Sequence, residues 1–423
     1  MNENTGRASA QLWTDTFGLS HNRISLEDTI SPAFFARETE AVFRRSWLYV
    51  GRIERAAKPG DFFTKEFEPL GASLLVTRDR ESQIRVFHNV CPHRGNKLVW
   101  NTYADRETSG RCKRFVCKFH GIAFGLSGNV ELLTDKPSWL DDQGGKIHLS
   151  EVPFDVWNGF IFVNLTPGGP KETLSEFIGE EYWTGFDGFD FGSRSECYSF
   201  QANSNANWKA LVDGFTEIYH AATVHAVPFA IPSIEQKPEA VTRFMDLAIR
   251  GKHRYYLTPR HRGRDTPFNF PYEDATNAIA TGPAYDFQDG FDTLPKSANP
   301  IQASQWGTSS HTFWPNFFIQ FYYPGWYTTY LMQPLAHNKM RFELNIYMPK
   351  PDNFSQMLAQ KSCVLQFLEA ALQDFGLLEA QQLGLQTRAF ESYPLTDQEV
   401  CLRDFHQKIQ AEVTAHQVKL HGA

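Results

Sequence analysis

Short runs of alternating hydrophobic and polar residues dominate the first part of the chain. The segments ASLLVTRD, QIRVFHNV and GFIFVNL, which begin at residues 72, 83 and 159, are rich in β-branched and aromatic side chains. Runs of this length between turn residues are typical of β-strands. From about Val50 to Val163 the pattern therefore predicts a small all-β unit.

Helical patterns flank this unit on both sides. Ser31-Pro32 can start an N-terminal helix, with Pro at its first position. A strand from Cys197 passes into a helix for which Asn205 or Asn207 can be the N-cap. The strongest helix prediction covers residues 354–385, which are rich in Leu, Ala, Gln and Glu, and a last helix is predicted for residues 397–416.

The remaining part is irregular and then strand-like. Residues 231–310 contain many Pro, Gly, Asp and Asn without a period, and so long a stretch predicts a functional lid or an insertion. Residues 311–335 and 340–349 read as sheet strands. Together these patterns predict an α+β protein with an N-terminal helical segment at 1–45, the all-β unit at 46–165, and a larger unit at 166–423.

Composition limits the classes of function. With 423 residues, 42% of them hydrophobic and 21% charged, the chain is of ordinary globular composition. A net charge of −7 gives no electrostatic footprint for nucleic acid. No apolar run reaches the length of a membrane-spanning helix, and the N-terminus lacks the pattern of a secretory signal. We therefore expect a cytoplasmic protein with no membrane partner and with reduced cysteines.

Two Cys–His pairs lie inside the all-β unit, Cys91-x-His93 and Cys117-x2-His120, each followed by glycines. Two cysteines on one iron and two histidines on the other are the ligands of a Rieske [2Fe–2S] centre. The same four residues could instead hold a structural zinc ion, although the tight C-x2-C knuckle common in zinc sites is absent. A third interpretation is that they are core cysteines and surface histidines.

A second cluster of potential metal ligands lies in DGFTEIYHAATVH, which begins at residue 213. Glu217 and His220 would share a helix face. His225 is about 140° out of register with His220 on a regular helix, so both can bind one metal ion only if the helix distorts or ends. Two histidines and one carboxylate with open positions suit Fe(II) and O2, and that carboxylate must come from elsewhere in the chain.

The segment FHNVCPHRGNKL, followed by FVCKFHGIAFGLSG, resembles the Rieske domain of the Rieske non-heme iron oxygenases. The resemblance runs from about Ser25 to His416 and includes GRIERAAKPGDF and FWPN, although the spacer between His93 and Cys117 is longer than usual. It implies a Rieske [2Fe–2S] domain and a catalytic domain of helix-grip type, in which an antiparallel sheet wraps around a long helix. The N-terminal segment would pack on the catalytic domain.

The resemblance also implies roles for single residues. The family's late motif Asp-x4-Glu-x2-Gln-x-Gly-Leu matches this chain and makes Asp374 the third ligand of a mononuclear Fe(II), after His220 and His225. The matching residues are Asp374, Glu379, Gln382, Gly384 and Leu385.

Glu217 stands where the family usually has an Asp that links a Rieske histidine of one subunit to an iron histidine of the next. The electron would pass from His120 through Glu217 to His220. Choline- and carnitine-type monooxygenases of the same superfamily also have Glu at this position. In an alternative role, Glu217 would only orient His220.

For the whole protein, the resemblance implies a terminal oxygenase that uses O2 and NAD(P)H-derived electrons from a separate reductase, with or without a ferredoxin. We expect a homotrimer, with or without a β subunit, that hydroxylates or dioxygenates a hydrophobic, aromatic or polycyclic substrate. The alternatives are a quaternary-amine monooxygenase or demethylase, an electron-transfer Rieske protein without oxygenase activity and, third, a zinc hydrolase.

The aromatic run from Phe313 to Tyr330 lies where the sheet of this family lines the substrate cavity. Alternate residues of a strand face opposite sides, so only about half of the run is assigned to the cavity. The expected pocket residues are Phe215, Phe313, Phe317 and Phe321.

Overall fold

The computed structural model describes residues 12–103, 105–140, 147–225, 243–259, 294–303, 306–322 and 325–421. The chain forms two compact units: one is Phe43–Phe177, and the other combines Met1–Val42 with Ile178–Ala423. The predicted limits of the all-β unit, 46 and 165, differ from these boundaries mainly at the C-terminal end.

The N-terminal segment of the larger unit is mostly helical. Ser31 caps its longest helix, since its hydroxyl accepts a hydrogen bond from Phe34 N at 3.2 Å and Pro32 takes the first helical position. The helix start predicted at Ser31-Pro32 is confirmed. The elements are α1 (Trp13–Thr16), β1 (Ile24–Ser25), α2 (Glu27–Ile30) and α3 (Pro32–Ala41).

The described residues of the smaller unit form three antiparallel sheets, ordered β5-β4-β3-β6, β10-β11-β2 and β7-β8-β9. Its described residues include the three strands predicted from alternation. The strands are β2 (Trp47–Arg52), β3 (Asp61–Phe67), β4 (Ala72–Arg78), β5 (Ile84–His88), β6 (Ser109–Arg111), β7 (Phe115–Val116), β8 (Ala123–Phe124), β9 (Val130–Leu132), β10 (Phe154–Trp157) and β11 (Phe160–Asn164).

The rest of the larger unit places helices around one broad sheet. The unit boundary falls at the end of α4 (Leu174–Ile178), of which only Ile178 belongs to the larger unit. In chain order the elements that follow are α5 (Glu180–Gly185), β12 (Glu196–Ser204), α6 (Trp208–Phe215), α7 (Ala221–Val224), β13 (Asp246–Arg250), β14 (His253–Pro259), β15 (Trp306–Phe313), β16 (Phe317–Tyr322), β17 (Trp326–Ala336), β18 (Lys339–Met348), α8 (Phe354–Gln386), β19 (Ser392–Tyr393) and α9 (Val400–His421).

The sheet is antiparallel, with seven strands in the order β12-β18-β17-β16-β15-β14-β13. Helix α8 lies across one face, where Phe367 packs edge-on against Tyr322 and Trp326 with ring centroids 5.1 Å and 5.7 Å away. This arrangement of long helix and sheet is the expected helix grip. Among the described helices, none combines the length and the apolar character that a membrane span requires.

The predicted irregular region, residues 231–310, is wrong in part: the described residues 294–303 are irregular apart from the short 3-10 helix Lys296–Ala298, but most of the other described residues form strands. Strands β13 and β14 lie within it, and β15 begins near its end. Strand β14 was not predicted because it contains a charged residue at a buried position. Arg254 is buried there because its guanidinium pairs with Asp404 at 2.6 Å. Residues 226–242, 260–293 and 304–305 lie outside the described residues, and with them most of the predicted lid.

Candidate metal sites

Two loops of matching geometry carry the Cys–His pairs. One follows β5 and holds Cys91 and His93, and the other follows β7 and holds Cys117 and His120. In each loop the cysteine N–H donates to the carbonyl oxygen five residues further on, at 2.7 Å for Cys91 and 2.8 Å for Cys117. Both cysteines are buried, whereas both histidines are partly exposed. The loops therefore present the same pair of groups in the same way.

A glycine closes each loop. Gly95 and Gly121 have φ angles of 74° and 75°, in the left-handed region that favours glycine. Their N–H groups donate back to the carbonyl oxygens of Cys91 and Cys117, at 3.0 Å and 2.9 Å. The two loops are thus near copies, and such a pair can hold one group from two sides.

The histidine rings of the two loops lie together, with the centroids of His93 and His120 4.8 Å apart. Within the described structure, His93 Nδ1 is buried without a hydrogen-bond partner, an arrangement that costs free energy unless another group binds the nitrogen. Burial, followed by the charges of His120 and Arg94, lowers the pKa of His93. A neutral imidazole is the form that ligates metals.

The sulfur of Cys91 is buried and accepts hydrogen bonds from backbone N–H groups. Burial raises the pKa of this thiol, and the backbone N–H groups of His93 and Arg94, which point at the sulfur, act in the opposite direction. Two buried cysteines and two histidines whose rings lie together fit the ligand set of a Rieske cluster. The residues present therefore fit a [2Fe–2S] group.

The second site forms where α6 ends. Helix α6 stops at Phe215, and the single turn of α7 lies between His220 and His225, which flank it. Their Nε2 atoms are 3.2 Å apart. The helical segment is therefore distorted, as expected, but not by a break between the two histidines. One helix ends at Phe215, before His220, and the next ends at His225.

Asp374 brings a carboxylate to these histidines from α8. Its Oδ1 lies 3.0 Å from His225 Nε2 and 3.5 Å from His220 Nε2. Ligand atoms about 2.1 Å from one ion, at right angles to each other, are about 3.0 Å apart. The three side chains can therefore hold one metal ion from a single side, which leaves other coordination positions open.

Each histidine contacts a different side chain through its other nitrogen. His220 Nδ1 hydrogen-bonds Glu217 Oε1, and the second carboxylate oxygen of Glu217 accepts from the backbone N–H of His220 at 3.2 Å. His225 Nδ1 lies 3.1 Å from Gln373 Oε1. Such contacts leave Nε2 for the metal ion. Gln373 was missed in the sequence, where its only signal is that it precedes Asp374.

The charge of the site favours a cation. Burial disfavours the charged form of His220, but the hydrogen bond and charge of Glu217, together with the charge of Asp374, outweigh burial and raise the pKa of His220. Two carboxylates thus surround the imidazoles. A divalent ion is the charge that would balance them.

Helix α8 also fixes the start of α6. Glu379 Oε1 accepts from Asn205 N at 2.8 Å, and Gln382 Oε1 accepts from Asn207 N at 2.9 Å. Asn207 is the N-cap of α6, as predicted, because its Oδ1 accepts from Lys209 N at 3.0 Å. The Glu-x2-Gln part of the late motif therefore ties the segment before the histidines to the helix that carries Asp374.

The sheet face toward α6 and α8 carries three polar side chains that are joined by hydrogen bonds. Phe215 packs on Tyr330 with ring centroids 4.8 Å apart, which places this face beside the end of α6. Tyr330 donates its hydroxyl hydrogen to Gln320 Oε1 at 2.8 Å, and the Tyr322 and Tyr330 hydroxyls are 3.0 Å apart. This sheet wall is therefore partly polar.

Three of the four predicted pocket residues need correction. Phe215, the last residue of α6, packs against the sheet face toward α6 and α8, but Phe313, Phe317 and Phe321 lie on the opposite face. There Phe321 stacks on Phe186 with centroids 5.5 Å apart, and Phe313 packs against Tyr182 at 5.1 Å, next to Phe317 at 6.0 Å. The prediction chose the wrong phase of the strand alternation.

Solved structures share this fold. A quaternary ammonium Rieske monooxygenase superposes with a TM-score of 0.70 at 18% identity, over 92% of this chain and 94% of that chain. Naphthalene 1,2-dioxygenase from Rhodococcus sp., with indole bound, gives a TM-score of 0.66 at 16% identity, over 95% of this chain and 96% of that chain.

Two curated relatives show similarity in sequence. The carnitine monooxygenase oxygenase subunit of Escherichia coli K12 is 29% identical over 198 residues, which are 45% of this chain and 49% of that protein. The chain thus matches about half the length of this relative. Chloroplastic choline monooxygenase from Amaranthus tricolor is 25% identical over 377 residues, 85% of this chain and 71% of that protein.

Family models match both units. Residues 46–142 match the Rieske [2Fe–2S] domain. Residues 191–415, more than half of the chain, match the catalytic domain of the ring-hydroxylating alpha subunits. The chain therefore belongs to the ring-hydroxylating alpha subunit family of Rieske oxygenases.

Proposed function

We propose that this protein is the terminal oxygenase of a Rieske-type system, with its mononuclear Fe(II) held by His220, His225 and Asp374. The observation that carries the proposal is the convergence of three ligand atoms with separations of 3.0, 3.2 and 3.5 Å. A site of this kind with open positions suits O2 chemistry. Electrons would come from a separate NAD(P)H-dependent reductase, with or without a ferredoxin.

When bound, the cluster and the iron supply electron transfer and O2 activation. Cys91, Cys117, His93 and His120 would hold the cluster. Glu217 hydrogen-bonds His220 Nδ1 and so keeps Nε2 directed at the ion. We further propose that the Glu217 carboxylate contacts a cluster-binding histidine of a neighbouring subunit, in a homotrimer.

For the substrate, a quaternary amine is better supported than an aromatic hydrocarbon. The similar proteins named above are a carnitine and a choline monooxygenase. The wall formed by Gln320, Tyr322 and Tyr330 also bears on this choice, because its hydroxyl and amide groups are partners for a polar substrate and gain nothing from a hydrocarbon. Aromatic rings attract quaternary ammonium groups. The proposed reaction is therefore the monooxygenation of a small quaternary amine.

An aromatic or polycyclic substrate, the expectation from the sequence, is the second candidate. It is supported by the apolar rings on the same sheet face, since Phe215 also packs against Phe318 and Phe342 at 6.3 Å and 5.9 Å. A pocket dominated by these rings would bind a flat hydrocarbon.

Oxygen uptake distinguishes the candidates. The purified protein, supplied with NADH and a surrogate reductase, is given carnitine, γ-butyrobetaine or choline in one series and naphthalene or indole in another. We expect substrate-dependent O2 consumption with an amine and none with the hydrocarbons; the reverse would support the second candidate. His220→Ala is the inactive control. A reducible cluster without bound mononuclear iron or O2 uptake would identify an electron-transfer protein instead.

A further inference from the structure

Gln373 and Asp374 are consecutive residues of α8 that contact the same imidazole from two sides. Gln373 Oε1 lies 3.1 Å from His225 Nδ1, and Asp374 Oδ1 lies 3.0 Å from His225 Nε2. His225 itself is buried, with 5% of its surface exposed. Its ring orientation is therefore determined by protein groups more than by solvent.

The contact with Gln373 selects one tautomer. A neutral imidazole carries its proton on one nitrogen and a lone pair on the other. A metal ion at Nε2 needs the lone pair there, which places the proton on Nδ1. An amide oxygen accepts a hydrogen bond from Nδ1–H and so stabilises this form.

We propose that Gln373 is the positioning residue of His225, which it holds in the tautomer and ring orientation that the metal ion requires. This inference rests on the iron site proposed above. His220 and His225 are then oriented by unlike groups, the carboxylate of Glu217 and the neutral amide of Gln373. The amide supplies the acceptor without adding a third negative charge to the site.

Metal affinity tests the inference without measuring turnover. The full-length protein, with its cluster intact and its mononuclear iron removed by a chelator, is titrated with Co(II) in a calorimeter. Gln373→Leu has a similar size but no acceptor, and we expect its affinity to fall by roughly 10- to 100-fold. Gln373→Glu restores an acceptor and should bind at least as tightly as the wild type. Gln381→Leu, an exposed position on the same helix, is the matched control and should match the wild type.

The outcomes separate the two proposals. Wild-type affinity in Gln373→Leu, with Co(II) binding lost in His225→Ala, would overturn the positioning role and leave the iron site standing. Weak binding in both Gln373→Leu and Gln373→Glu would mean that a hydrogen-bond acceptor at this position is not what supports metal binding, and would also overturn the role. Undiminished binding in His225→Ala would overturn the iron site and the inference together.

Discussion

At the scale of single residues, His406 shows how burial and charge compete. It lies on α9 with its Nε2 3.1 Å from both carboxylate oxygens of Asp213, and its Nδ1 is 4.0 Å from Asp28 Oδ2. Burial disfavours the charged ring, but the charge and hydrogen bond of Asp213, followed by those of Asp28, raise the pKa of His406 to about 9. An ion pair therefore joins α9 to the helix that leads to the iron site.

This ion pair predicts a pH-dependent stability. The folded pKa of His406, about 9, exceeds the unfolded value of about 6.5, so the contribution is complete below about pH 6.5 and disappears as pH rises through about 9. The shift corresponds to about 3 kcal/mol. We expect His406→Asn to lower the free energy of unfolding in urea by about this amount at pH 6 and by much less at pH 10. A difference that does not change with pH would contradict the prediction.

Glu217 is the second residue whose charge is predicted to matter. In Glu217→Gln an amide oxygen can still accept from His220 Nδ1, so both metals should remain bound. Loss of the negative charge removes the main cause that raises the pKa of His220 and weakens the proposed link to the neighbouring subunit. We expect turnover and reoxidation of the reduced cluster, followed by stopped-flow absorbance, to slow together. Wild-type rates would remove the proposal of a bridge.

At the scale of elements, the sequence predicted what depends on local pattern. The long helix, the N-cap at Asn207 and the strands of the small unit follow from helix formers, capping chemistry and alternation. A helix that distorts or ends between His220 and His225 was predicted, but the break before α7 was not, because it depends on side chains that compete for backbone groups. Thr216 Oγ1 donates to Val212 O at 3.0 Å, and Glu217 accepts the N–H groups of Tyr219 and His220.

The choice of sheet face could not be predicted for a different reason. Every described residue of β16, and all but the last two of β17, are buried. A sheet covered on both faces has no polar side to fix the phase of its alternation. The assignment of Phe313, Phe317 and Phe321 to the pocket failed because the sequence contains no signal for which face meets α8.

The contact between α6 and α8 gives a prediction for these elements. Gln382→Leu removes the acceptor of Asn207 N and leaves a buried N–H without this bond, at a cost of about 1–3 kcal/mol. We expect a lower thermal midpoint and a lower iron content in Gln382→Leu, since the strands and helices that position the ligands loosen together. Gln381→Leu is the control. An unchanged iron content would show that the contact does not support the metal site.

At the scale of the whole molecule, each ligand set belongs to one compact unit. The Cys–His pairs all lie within Phe43–Phe177, whereas the residues proposed to bind iron all lie in the larger unit. The backbone hydrogen bonds that close the two cluster loops each join residues of the same loop, and none of them involves His220, His225 or Asp374. A mutation in one set of ligands should therefore change the content of the [2Fe–2S] cluster or of the mononuclear iron, but not both.

This separation is testable with variants of each site. His220→Ala or Asp374→Ala should abolish turnover and mononuclear iron binding, because a facial site loses one of three protein ligands, while the Rieske absorption stays intact. Cys117→Ser should bleach the cluster, since a hydroxyl does not replace a thiolate ligand. Metal analysis and visible absorption spectra of the purified variants provide the check. Loss of cluster colour in His220→Ala would contradict the assignment of the sites.

The larger unit combines two separate stretches of the chain, Met1–Val42 and Ile178–Ala423, and this has a consequence for how the protein is synthesised. Its first 42 residues leave the ribosome early, but their partner strand β19, which pairs Tyr393 with Ile24, is made near the end. The residues proposed to bind iron are also spread from His220 to Asp374, whereas those proposed to bind the cluster lie within the thirty positions from Cys91 to His120, in one uninterrupted unit. Closing long loops is slow and comes late. The nascent chain can thus complete the pocket for its cluster long before it has a place for iron, and iron bound at the second site marks a chain that has been made at least as far as Asp374.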